Sequence, residues 1–129
     1  MRHYLIKRII CVITFISLIG CDRQLHIYYN IVDKVDRVVI TYKKTGLKKI
    51  LTNIEIETFK NHLKRNIQPE LQRVFINDVL VELYSDSKRI AFLLIYQGVK
   101  DIGFVNFNSD NLNFGFRLTY GIGMFIGGN

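Results

Sequence analysis

Three apolar runs in the second half of the chain set the first limit on its fold: "DVLVELY" at 78–84, "RIAFLLIYQ" at 89–97 and "IGFVNFN" at 102–108. The clusters "SDSK" and "GVKD" separate them, polar turn residues at the regular spacing of an antiparallel meander. Strands joined by such short links pair with their neighbours in the chain, so the segment predicts a locally connected antiparallel sheet. Within it, "AFLLIY" shows no polar alternation and is expected as a central strand buried on both faces.

Upstream, "DRVVITYK" at 36–43 is β-branched and reads as a strand, "KTG" as a turn, and "LKKILT" at 47–52 as the partner strand of a hairpin. A helix follows. Thr52 and Glu55 have capping-box spacing, and Ile56, Phe59 and Leu63 recur at helical intervals through "NIEIETFKNHLKRN". Lys60, Lys64 and Arg65 fall in its last turns, where the helix dipole favours cations, and Asn66 and Pro69 end it. Residues 22–35, "DRQLHIYYNIVDKV", show no clean period and are expected as a tether or an edge strand. In the tail, Leu112, Phe114, Phe116, Leu118, Tyr120, Ile122, Met124 and Ile126 alternate with polar residues and glycines. That period of two predicts a core-facing strand or bent hairpin, with Phe125 as the one large apolar residue left on the outer side. "GIGMFIG" lacks the third glycine of a dinucleotide fingerprint, because Ile126 stands there.

The length of 129 residues allows one domain, and 49% hydrophobic content with a single proline excludes a disordered or proline-rich stalk. The only cysteines are Cys11 and Cys21. Everything downstream therefore folds without a disulfide, a thiol nucleophile or a cysteine metal ligand.

The first 21 residues read differently from the rest. Arg2, Lys7 and Arg8 precede an uncharged apolar run, "IICVITFISLI" at 9–19, and Gly20 and Cys21 follow it. A positive start, a short apolar run and a small residue at its exit describe a secretory signal peptide. The run is shorter than the roughly 18 residues that a membrane-spanning helix needs. An uncleaved signal anchor or a buried first helix are the competing readings, and both fit the flanking charges and the length less well.

Leu18, Ile19, Gly20 and Cys21 resemble the lipobox of bacterial lipoproteins. The resemblance covers residues 1–21 and implies that signal peptidase II recognises Leu18, Ile19 and Gly20 and removes residues 1–20. It further implies diacylglycerol on the Cys21 thiol and an acyl chain on the new amino terminus; no other cofactor is expected. Two or three acyl chains hold a protein on a membrane stably, whereas one holds it marginally. Asp22, directly after the cysteine, is similar to the signal that keeps enteric lipoproteins in the inner membrane, and it reads equally as the start of a polar tether.

Without Arg2, Lys7 and Arg8, the 18 Lys plus Arg of the whole chain fall to 15, against 11 Asp plus Glu. This modest positive balance, with no arginine-rich block, gives no support to a nucleic-acid partner. Its densest feature is the hairpin "KKTGLKK", with Lys43, Lys44, Lys48 and Lys49. These lysines read first as a solvated turn that discourages edge pairing, and second as a contact patch for anionic lipid or an acidic envelope protein.

Catalysis has little to stand on. The mature chain would keep only His26 and His62, and its serines, Ser85, Ser87 and Ser109, fall in expected turns with no nucleophile-elbow motif. His62 reads as a solvated helix residue. Asp78, Glu82 and Asp86 share no helical face in a strand-and-turn segment, and no metal-ligand spacing is present.

The sequence thus predicts an α+β domain over 36–129: a hairpin, one helix packed on a sheet face, then an antiparallel meander. The expected role is that of a lipid-anchored protein at the periplasmic face of the bacterial envelope, a binding module without enzymatic activity. An immunity or inhibitor lipoprotein acting against a toxin or envelope enzyme is the alternative, and a hydrolase a third.

Overall fold

The computed structural model describes residues 23–65, 67–98 and 103–126. The elements run α1 (residues 23–33), β1 (Arg37–Tyr42), β2 (Lys48–Ile50), α2 (Asn53–Lys64), β3 (Val79–Ser85), β4 (Lys88–Tyr96), β5 (Phe104–Ser109), β6 (Asn113–Arg117) and α3 (Tyr120–Ile126). Among the described residues six strands form one sheet in the order β2-β1-β3-β4-β5-β6, every neighbouring pair antiparallel. The hairpin, capped helix and meander expected from the sequence are all present, and the fold is α+β.

Local chemistry accounts for the central elements. The β1–β2 turn places Gly46 at φ +70°, and the β3–β4 hairpin turns on Asp86 and Ser87, both at positive φ, as a two-residue hairpin turn requires. At the start of α2 the Thr52 hydroxyl accepts from the Glu55 N–H at 3.3 Å, and the Glu55 carboxylate accepts from the Thr52 N–H at 3.1 Å. Ile56, Phe59 and Leu63 then face the core.

Pairing register sorts the sheet into two faces. Ile40, Val81, Leu93, Phe107 and Phe114 stand in one row across five strands, all buried. All three helices cover this inner face through Tyr28 and Val32 of α1, Phe59 and Leu63 of α2, and Ile122 and Ile126 of α3. The Tyr28 ring meets Phe107 and Phe114 edge-on at 5.0 and 5.2 Å, and its hydroxyl donates to the Leu63 carbonyl at 2.6 Å. That bond satisfies a carbonyl left open by the end of α2.

Three expectations are corrected. Residues 23–33 form a helix rather than a tether or an edge strand, because Leu25, Tyr28, Val32 and Val35 recur at three- and four-residue intervals and bury one face. Strand β4 is buried on one face only: Ala91, Leu93 and Ile95 are enclosed, while Phe92, Leu94 and Tyr96 are half-exposed. The tail is a strand only as far as Arg117, after which α3 turns over the inner face. Ile122 and Ile126, one helical turn apart, are buried, and Tyr120 and Met124 are exposed. Phe125 is not left on an outer side; it packs edge-on against Phe59 at 5.3 Å.

Candidate functional site

Beyond α2 the chain rounds the β6 edge and crosses the outer face of the sheet as an extended strap, residues 70–77. The crossing begins at Gly115. Glu70 and Gly115 exchange both backbone hydrogen bonds, at 2.6 and 2.7 Å. A Cβ on residue 115 would lie 2.8 Å from the Leu71 carbonyl oxygen, so glycine is what lets the strap pass so close.

Asn106 is Gly115's partner on β5, and its side chain holds the next residues. The amide oxygen accepts from the Arg73 N–H at 3.1 Å, and the amide nitrogen donates to the Arg73 carbonyl at 2.7 Å. One side chain thus does the work of a backbone bridge. Asn106 is the buried polar residue among those described, 9% exposed, and bonding at both ends of its amide offsets the cost of burying it. Gln72 adds a bond to Asn108 at 2.7 Å, the Arg73 guanidinium lies 4.0 Å from the Phe104 ring centre, and Phe75 rests 6.1 Å from Tyr96.

With Arg73 and Phe75 turned to the sheet, the alternation of an extended chain turns Val74 and Ile76 away from it. Val74 is fully exposed and Ile76 is 88% exposed, and Leu71, where the strap begins, is 90% exposed. Beside the strap lie half-buried Leu80, Phe92 and Leu94 of β3 and β4. Guanidiniums cap two neighbouring rings, Arg37 over Tyr84 at 5.5 Å and Arg89 over Phe92 at 4.9 Å. Glu82 joins them, accepting from Arg89 at 3.1 Å and from the Tyr84 hydroxyl at 3.3 Å. Exposed aliphatics bordered by arginine and aromatic rings have the composition of a protein-binding surface.

A concave feature lies where β4 ends and β6 runs on into α3. Gln97, Gly98, Leu118, Tyr120 and Met124 border an open cleft of about 530 Å³.

Leu18, Ile19, Gly20, Cys21 and Asp22 lie outside the described residues. The four hairpin lysines are described, and they diverge. Lys43 donates to the Asn77 amide oxygen at 2.9 Å, where the strap ends, and Lys49 pairs with Glu55 on the helix side at 3.6 Å. Lys44 and Lys48 are exposed. Lys48 and Lys49, adjacent on β2, face opposite sides of the sheet.

Other singled-out residues take structural places. His62 is half-buried, not solvated: its ring lies 6.0 Å from Phe125, and a side chain on Gly121 would collide with it. Ser109 closes the β5–β6 turn by bonding both the N–H and the carbonyl of Leu112. Asp78 accepts from the Gln97 N–H, and the Asp86 N–H donates to Asp36. Among the described residues no group of three or more His, Cys, Asp or Glu is placed to hold a metal ion, and no helix is long and apolar enough to cross a membrane. The strap itself went unpredicted. Its one signal was Leu71, Val74 and Ile76 spread through a segment with neither helical nor strand period.

Comparison with protein-family models, with curated proteins and with solved structures found no match to this chain.

Proposed function

We propose that this chain is a lipid-anchored bacterial envelope protein that binds a protein partner through the strapped outer face of its sheet, without catalysing a reaction. The observation that carries the binding site is the outward display of Val74 and Ile76 on a strap whose alternate residues, Arg73 and Phe75, are held to the sheet. Large aliphatics fixed in the exposed position lose little conformational entropy when a partner covers them. The lipobox-like residues Leu18 to Cys21 carry the anchor, and the tethering raises the local concentration of the domain for any partner on the same membrane.

Two measurements test this. Fatty-acid labelling of the expressed protein is expected to mark the wild type and spare Cys21→Ala; equal labelling of the two overturns the anchor. A photo-crosslinking residue at position 74, used in intact cells, is expected to give a discrete adduct that Ile76→Asp abolishes. The same adduct from position 54, an exposed site on α2, overturns the binding surface. A toxin or a hydrolase as the captured partner would make the module an inhibitor.

A further inference from the structure

Residue 23, the first described residue of helix α1, lies two positions after Cys21, and the helix is fixed to the domain. Tyr28 and Val32 are fully buried, and the Tyr28 hydroxyl is bonded to Leu63. Two residues of chain reach at most about 7 Å. A lipid on Cys21 therefore cannot hang the domain on a long leash; it holds one particular corner of it near the bilayer.

The structure identifies that corner. Gln24 borders an open cleft of about 620 Å³ with Pro69, Leu71 and Asn113, where the strap begins and β6 starts. Arg23 and His26 are exposed on the same end of α1, and Leu71 is 90% exposed. The lysine hairpin lies diagonally across the sheet, at the other edge and at the other end of the strands. Strand spacing alone separates the two edges by about 24 Å. That is several times the screening length of about 8 Å at physiological salt, so lysines there feel little of the headgroup charge.

We infer that the anchored domain sits with the Gln24 and Leu71 corner on the bilayer, Leu71 entering the headgroup layer, and with the lysine hairpin turned away from the lipid. The inference rests on the proposed lipidation of Cys21. It assigns to Leu71 a lipid contact, separate from the protein contact of Val74 and Ile76, and it removes anionic lipid as the partner of the hairpin.

The chain contains no tryptophan, so a single substitution provides a clean probe. Leu71→Trp and Leu47→Trp both replace exposed side chains, the second on the hairpin. Each full-length protein, purified from membranes, is reconstituted into phosphatidylcholine and phosphatidylglycerol vesicles with brominated acyl chains, and its mass is measured. A lipid-modified mass, with blue-shifted and strongly quenched emission for Leu71→Trp and unquenched emission for Leu47→Trp, is the expected result. A lipid-modified mass with equal quenching at both positions, or stronger quenching at 47, overturns the orientation while leaving the anchor intact. An unmodified mass overturns the anchor and the orientation with it.

Discussion

Asn106 and Gly115 face each other on adjacent strands, and the strap crosses where they meet, bonded by the first and admitted by the second. The pair couples the outer surface of the protein to the interior of its sheet. Gly115→Ala is expected to destabilise the fold by about 1–3 kcal/mol, the usual cost of forcing atoms into a packed site. Asn106→Ala leaves the Arg73 N–H and carbonyl without their partners, at a cost of about 1–3 kcal/mol. Urea unfolding measures both, and hydrogen exchange of the Arg73 amide should accelerate in each variant. The crosslink from position 74 should weaken in parallel.

Tyr28 links alkaline pH to unfolding. Burial, and secondarily its neighbour Tyr29, pushes the phenol well above its ordinary range. The unfolded chain gives up this proton near pH 10 and the folded chain does not. Stability should therefore fall above about pH 10, by about 1.4 kcal/mol per pH unit from this group. Tyr28→Phe removes that slope and costs about 1 kcal/mol at neutral pH through the lost bond to Leu63. Chemical denaturation repeated across alkaline pH measures both effects.

The start of α2 gives the opposite pH dependence. The Thr52 N–H chiefly holds the Glu55 carboxyl below the usual carboxylate range; desolvation opposes it, and the Thr52 hydroxyl and Lys49 add to the lowering. A depressed folded-state pKa contributes stability above the unfolded value, and the contribution fades as pH falls through the folded one. Glu55→Gln should abolish this part of the acid dependence. Thr52→Ala should cost about 1 kcal/mol and raise the Glu55 titration midpoint, read by carbon NMR of its carboxyl.

His62 and Gly121 form a tight contact between α2 and α3. Gly121→Ala places a methyl group against the imidazole and should lower stability by about 1–2 kcal/mol. In the His62→Ala background the same substitution should cost little, and a double-mutant cycle of thermal unfolding reads the coupling.

The sequence made the hairpin, α2 and the meander legible because each signal there is local: a turn, a capping box, a run of β-branched residues. Helix α1 carried its helical spacing in Leu25, Tyr28, Val32 and Val35, but Ile27, Tyr29 and Ile31 lie between them and blur the period. In the tail, Ile122 and Ile126 satisfy a strand alternation and a helical turn alike, and Gly121 and Gly123 argue against a helix. The strap was the least visible. It depends on Gly115 and Asn106, which lie beyond β4 in the chain, on β6 and β5, and no local pattern connects them to the strap.

The path of the strap also sets an order of events. It lies ahead of β5 and β6 in the chain, yet in the folded protein those strands run between it and the helices. While the chain is being made, residues 70–77 can reach Tyr96 and Lys43, but not Asn106 and Gly115 until the last hairpin arrives. Completion of the fold waits for the final quarter of the polypeptide, and such late, non-local closure is slow. A chain stalled before residue 113 would leave Tyr28 of α1 without Phe114 and the inner faces of the helices incompletely covered, which makes the incomplete form the natural target for quality-control proteases.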